Sequence, residues 1–400
     1  MLAFRAAAQA PSADQIRKVT DEIARITGLE VKRAVPSETI TREAWKKWVD
    51  DEIRRTVKPE EIRADETTLR LLGLIPQDFD LRKATVDLLG EQAAALYDHR
   101  RRKMLFVEGG AAGFMQEAVL VHELSHAVAD QHFDMRHFLD KGAKTDESQT
   151  ARLAVVEGQA MWIMLESQVQ RMGGGSLATN RTALDLMLPA MGQLAAESYP
   201  VFAHAPLYLR ETLVFPYTAG LLFQQAAVER FGKQAFSEVL RHPPNTTSEV
   251  LHPGRWPAAA VAAAPALPAV ENPKSMKKIS SGTLGELDLR ILLKQYASEK
   301  EADQVAPLWR AGAFELLENR KNRHPTVRWA VALESPEAAQ RFLSLYARVI
   351  EGKWRTAAFD ERSPSLLLGR GEAGGFRIAA EGSVVRGVEG LEDGPERSKR

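Results

Sequence analysis

The run His122-Glu123-Leu124-Ser125-His126, set between Ala118-Val119-Leu120-Val121 and Ala127-Val128-Ala129, constrains this chain more than any other segment. Its flanks are apolar, so the pattern predicts a helix buried in a core. An α-helix turns once every 3.6 residues, with about 1.5 Å of rise each, so the two imidazoles project from one face about 6 Å apart. At that separation both ring nitrogens can bind one zinc ion. Glu123 lies about 100° round the helix from His122, where its carboxylate reaches a metal-bound water without becoming a ligand. Such a carboxylate acts as general base toward a water whose pKa the metal lowers.

H-E-x-x-H on a helix is the zincin signature, and its surroundings agree with it. Lys103-Met104-Leu105-Phe106-Val107 reads as a strand ending at Gly109-Gly110. The strand's edge is expected to pair with an extended peptide. A catalytic zinc keeps three protein ligands and one open position, so a third ligand is required. His132 stands ten residues after His122, the metzincin spacing, but Ala129 occupies the position where that spacing needs a helix-stopping glycine. The rival is Glu157, within a helical stretch from about Glu147 to Met172 that has Leu153, Val156, Ala160 and Met164 at core spacing. A carboxylate amid so much apolar surface is costly unless paired or metal-bound. Helix continuity favours Glu157; its structural alternative is a buried Glu satisfied by an arginine or by backbone donors.

Taken together, His122 to His126 and a downstream Glu on the next helix resemble the gluzincin group of metallopeptidases. More closely, the chain resembles a family of uncharacterised bacterial HExxH metallopeptidases. The likeness is carried by Gly73-Leu74-Ile75-Pro76, Asp78-Phe79-Asp80-Leu81, Glu91-Gln92 with Leu96-Tyr97-Asp98, and the motif itself. Asp130-Gln131-His132-Phe133-Asp134, Val156-Glu157-Gly158, Phe215 through Gly220 and Val250-Leu251-His252-Pro253 extend it over roughly residues 60 to 350. The resemblance implies a zinc-dependent peptidase-like fold. Well-known gluzincins carry an Asp four residues after the ligand Glu, to steady the first His; here that position is Met161. Asp130, four residues beyond His126, is a candidate for one supporting contact, or else a helix-surface Asp. Some gluzincins also use a late His or Tyr to steady the oxyanion. His252 is the candidate here, with Tyr217 an alternative, and each has an ordinary structural reading as well. His132, His137 and His204 read as structural.

Composition narrows the function further. The 400 residues include 53 basic and 53 acidic side chains, so the formal net charge is zero, and no basic stripe with interleaved aromatics suggests nucleic-acid binding. Arg100-Arg101-Arg102-Lys103 reads as a solvated hairpin turn. With no cysteine there is neither a thiol nucleophile nor a thiolate metal site. No segment approaches the ~20 apolar residues of a membrane span. Ala8-Gln9-Ala10 resembles a signal-peptidase site behind too short an apolar run. Export is expected if the true start lies upstream, and a cytoplasmic location otherwise.

The expected fold class is α+β: a mostly helical zincin-like domain with a small sheet, then a small α+β module. Residues 1–11 read as a disordered tail, and 12–256 as the metallopeptidase domain, with 12–95 its N-terminal part. The Ala/Pro-rich segment 257–280 reads as a linker, 281–390 as the C-terminal module and 391–400 as a disordered tail. Helices are expected at about 12–27, 41–57, 59–72, 80–95, after Phe215-Pro216 and at 234–241, with a strand at 29–35. In the module, helices are expected at 284–296 and 335–350, strands at 314–318 and 327–333, and a hairpin over 376–388. The functional expectation is peptide or protein hydrolysis: one zinc ion held by His122, His126 and Glu157, Glu123 as base, and no nucleic-acid partner. A non-catalytic zincin-like scaffold is the alternative.

Overall fold

The computed structural model describes residues 11–56, 58–91, 95–109, 114–182, 184, 188, 199–257 and 262–392. Helix α1 (Ala13–Thr27) opens as the sequence predicts. Ser12 Oγ accepts from the Gln15 amide while the Gln15 side chain accepts from the Ser12 amide, a reciprocal cap that occupies two otherwise orphaned donors. Helices α2 (Arg42–Thr56) and α3 (Pro59–Leu72) also lie where expected. Helix α4 (Leu81–Glu91) is shorter than expected: 92–94 lie outside the described residues, and Ala95 already belongs to a strand.

A three-stranded sheet flanks the motif helix, in the order β1 (Ser37–Ile40), β3 (Lys103–Val107), β2 (Ala95–Asp98). Strand β1 runs parallel to β3, and β2 antiparallel to it. Two expectations are corrected here. Residues 29–35 form no strand, because the Gln131 side-chain oxygen takes the amides of both Lys32 and Arg33 and ties that segment to the motif helix. Lys103–Val107 is the central strand, paired on both sides, so it has no edge for a peptide; β1 and β2 are the edge strands, and β2 turns its outer side toward the motif helix. The basic run Arg100-Arg101-Arg102-Lys103 does lie at the β2–β3 turn, which spans 99–102 and hands Lys103 to β3. Its cations face carboxylates: Arg100 meets Asp140 at 2.9 Å, and Lys103 pairs with Glu38.

Motif helix α5 (Phe114–Phe133) packs against α1 and against the long α7 (Asp146–Arg171), with the short α6 (Met135–Asp140) between α5 and α7 in the chain. Beyond α8 (Pro200–His204), helix α9 runs unbroken from Leu207 to Phe231 with Pro216 inside it, rather than starting after the proline. Packing along α7 outweighs the local cost of a proline within a helix. The two helices cross at glycine. A Cβ on Gly158 would stand 2.1 Å from the Gly220 carbonyl carbon, and one on Gly220 would stand 2.1 Å from the Ala154 oxygen. Helices α10 (Ala235–Arg241) and α11 (Thr247–Leu251) follow.

A second, seven-stranded antiparallel sheet follows, in the order β4 (Met276–Thr283), β5 (Trp309–Asn319), β6 (Pro325–Leu333), β10 (Val384–Leu391), β9 (Gly374–Glu381), β8 (Leu366–Gly371), β7 (Ala358–Arg362). With it come α12 (Glu286–Tyr296), α13 (Glu299–Val305) and α14 (Pro336–Lys353), the last packed on β6, β8, β9 and β10. The fold is therefore α+β. Strand β4 begins inside the stretch expected to be a spacer. The described part before it is pinned where Arg386 Nε donates to the Ala266 carbonyl and Arg328 Nη1 to that of Pro268. A single hydrophobic core continues from Ile16 through Leu124 and Phe223 to Trp329 and Val385, so the C-terminal part does not hang on a linker. Lys353 reinforces the join: its buried ammonium pairs with Glu389 on β10 and donates to the Leu71 carbonyl on α3. Tyr296 Oη donates to the Gly73 carbonyl at 2.7 Å. Among the described residues, no helix is long and apolar enough to cross a membrane.

The glycine crossing sets a measurable expectation. Gly158→Ala forces α7 and α9 apart, and overpacking of this kind costs about 1–3 kcal/mol. A urea unfolding curve is expected to show at least that loss, whereas Gly174→Ala, beside the adaptable Val169 side chain, loses less.

Candidate metal centre

Three side chains converge where α5 meets α7. His122 Nε2 lies 3.1 Å from Glu157 Oε2, His126 Nε2 lies 3.2 Å from His122 Nε2, and His126 Nε2 lies 3.5 Å from Glu157 Oε2. The helical pitch of α5 puts the two imidazoles on one face, and α7 brings the carboxylate across to meet them. The side chains are only 11, 12 and 16 % exposed, so water does not satisfy them fully. Two ring nitrogens 3.2 Å apart cannot both carry a hydrogen toward each other. At least one of them therefore turns a lone pair inward, and with both neutral and free of hydrogen there the two nitrogens and the carboxylate could share one cation.

The triangle fits a metal. Four-coordinate zinc with bonds of about 2.0–2.2 Å separates neighbouring ligand atoms by roughly 3.3–3.6 Å at the tetrahedral angle. The observed edges lie within a few tenths of an ångström of that range. Among the described residues, these three form the only cluster of His, Cys, Asp or Glu close enough to hold an ion.

The three side chains shift one another's titration. Burial pushes the Glu157 carboxyl upward, but His126 and His122 together outweigh it and hold Glu157 far below the usual carboxylate range. Burial pulls His126 down, yet the charge and hydrogen bond of Glu157, helped by Glu123, raise it overall. Burial raises the Glu123 carboxyl, against the pull of both histidines.

Glu123 is held from the sheet. Its Oε2 accepts from the backbone amide of Tyr97 at 2.7 Å, so the outer side of β2 faces the motif helix. The Tyr97 hydroxyl donates to Asp130 Oδ2 at 2.8 Å. Glu123 and Asp130 are two helical turns apart on one face, and one tyrosine bridges them with its amide and its phenol. Asp130 therefore does not support a histidine. It holds β2 and, through Oδ1, accepts from the Met135 amide at 2.7 Å.

Tyr217 comes to the site from α9. Its ring stacks on that of His122, with centroids 6.1 Å apart. The negative charge of Glu157, more than any other cause, raises its phenol well above the usual value. His132 is not at the site: α5 continues through Ala129 and carries its ring to the Glu30 carbonyl, 2.8 Å away. His252 is not brought to the triad either. It ends α11 with Nε2 2.7 Å from Glu286 Oε1, whose partner oxygen accepts from Arg255, so its ring serves the join to α12. His204 bonds the Pro200 carbonyl of its own helix. Sequence reasoning missed the Tyr97 amide, since a backbone donor carries no residue signature.

Comparison with protein-family models, with curated proteins and with solved structures gave no match, so geometry and chemistry carry the functional reading.

The coupling of His126 to Glu157 can be read without any metal. In chelator-treated protein, Glu157→Gln is expected to lower the midpoint of the His126 imidazole titration, followed by NMR. An unmoved midpoint would mean that the pair does not interact.

Proposed function

We propose that this chain is a zinc-dependent metallopeptidase of gluzincin type. The observation that supports this best is the convergence of His122, His126 and Glu157 on one point, with Glu123 next to His122 held by a strand whose outer side faces the site. Two imidazoles and a carboxylate are the donor set of catalytic zinc with an open fourth position. Zinc bound there would lower the pKa of a water and polarise a carbonyl.

The chain's own residues supply the rest. Glu123, kept from rotating by the Tyr97 amide, takes a proton from the attacking water and returns it to the leaving amine. Apart from the Tyr97 amide that Glu123 occupies, the outer side of β2 offers its main-chain groups to an extended substrate, the mode in which a peptide adds to a sheet edge. This favours a peptide over a compact small molecule. Tyr217 stands beside His122 with 40 % of its surface exposed, placing a hydroxyl donor at the border of site and solvent.

Two measurements separate metal binding from catalysis. Glu123→Gln is expected to keep about one equivalent of zinc by elemental analysis while losing about 10²- to 10⁴-fold in kcat/KM on a peptide substrate. Retained hydrolysis in that variant removes Glu123 as the base. Glu157→Ala is expected to lose the metal and the activity together, and His132→Ala to keep both. A site emptied only by the His132 change would assign the third ligand to that histidine.

A further inference from the structure

The hold on Glu123 begins with the parity of a strand. Met104 of β3 gives its amide to the Pro36 carbonyl at 2.8 Å, on the β1 side, and Tyr97 is its register partner on β2. Opposed residues of this kind in an antiparallel pair turn their main-chain groups away from each other, so the Tyr97 amide points out of the sheet. There Glu123 Oε2 accepts it. A strand of four residues, paired on one side, does not by itself fix that amide against α5. The second attachment is the phenol. Tyr97 is 5 % exposed, and its hydroxyl donates to Asp130 Oδ2. Asp130 is fixed in turn: its other oxygen accepts from the Met135 amide at the start of α6, and Arg102 Nε stands 3.6 Å from Oδ2. The Asp130 side chain has no solvent exposure, so water does not compete for the phenol. Burial, and then the bond to Asp130, raises the Tyr97 phenol above its ordinary value, which keeps it a donor.

We propose that Asp130 and Tyr97 are positioning residues for the hydrolysis: Asp130 holds the phenol, and the phenol holds the strand whose amide aims the Glu123 carboxylate. The inference rests on the peptidase reading and adds to it how the base is aimed. One amide ties a carboxylate oxygen to a point, but it does not hold the strand that carries the point. With the phenol free, β2 can tilt along α5 while keeping its pairing with β3, and Glu123 follows it or lets go. Asp130 lies seven residues beyond Glu123 on α5, about 10 Å further along the same face. Two attachments that far apart stop the tilt. Aim matters because general-base catalysis contributes about 10²- to 10⁴-fold, and a misplacement of about 1 Å costs up to about 10²-fold. None of these contacts touches His122, His126 or Glu157, so losing the phenol leaves the metal ligands in place. The phenol is thus the side-chain group through which a main-chain hold is loosened.

The test uses the full chain loaded with zinc, with kcat and KM on a peptide substrate expressed per bound zinc, and amide hydrogen exchange at position 97 followed by NMR. Tyr97→Phe removes one oxygen and leaves the ring in the core. It is expected to keep about one equivalent of zinc and an unchanged KM, while kcat falls about tenfold or more. The amide at position 97 is expected to exchange about tenfold faster as its bond to Glu123 opens more often, with the Phe106 amide on β3 unchanged. Asp130→Asn still offers the phenol an acceptor of the same shape and is expected to retain most of kcat. Asp130→Ala is expected to behave as Tyr97→Phe does, and the double variant Tyr97→Phe/Asp130→Ala to lose no more than Asp130→Ala alone. If Asp130→Ala does not fold, Tyr97→Phe and Asp130→Asn decide. An unchanged kcat in Tyr97→Phe overturns the inference, and so does a rise in KM alone or a double variant in which the two losses multiply. Unchanged exchange at position 97 overturns it whether or not the unmodified protein cleaves peptides. Faster exchange there, in a protein that cleaves none, upholds the hold on Glu123 and removes the peptidase reading.

Discussion

The near-contact of Gly158 with Gly220 is the constraint on which the candidate site depends. Without side chains between them, α7 and α9 meet backbone to backbone, and the residues that flank the crossing are set at short range. Glu157 precedes one glycine and reaches across to both histidines of α5; Tyr217 precedes the other by three positions and lies on the ring of His122. Any larger residue at either glycine would separate the carboxylate and the phenol from the imidazoles they meet. Two small residues in the core thus govern the placement of polar groups that they do not touch.

The other side of the site is set by the sheet. Tyr97 holds β2 to α5 twice, by an amide on Glu123 and a phenol on Asp130, with the two acids two turns apart. The base therefore has its direction fixed by main chain, which a side-chain substitution elsewhere cannot easily disturb. Because β3 is enclosed between β1 and β2, the strand that gives a main-chain amide to the motif helix among the described residues is β2.

Much of this was legible in the sequence, and the failures have physical reasons. The apolar flanks of His122–His126 announced a buried helix, and the strong helix former Ala129 announced that it would not stop before His132. A carboxylate at Glu157 within an apolar repeat pointed to a partner for its charge, and the structure supplies two imidazoles. Pairing was not legible: Lys103–Val107 reads as a strand, but nothing in its own residues says that both its sides are taken. Pro216 reads as a helix start because its ring removes one donor, a local signal that packing against α7 overrides. Strand β4 was hidden in text that resembles a spacer, since Lys277-Lys278 and Ser280-Ser281 show little apolar alternation on an edge strand. His252 was misjudged because order along the chain says nothing about Glu286, which arrives from a later helix.

The strand order of the large sheet bears on how the molecule is made. β6 pairs with β10 on one side, yet β7, β8 and β9 all come between them in the chain. During synthesis β6 must therefore wait with one side bare while an entire meander emerges and folds beside it. The Lys353 ammonium waits as well, since Glu389 arrives only with β10. The C-terminal core thus closes late and at its centre, which makes the newborn chain dependent on whatever shields that bare side until β10 emerges.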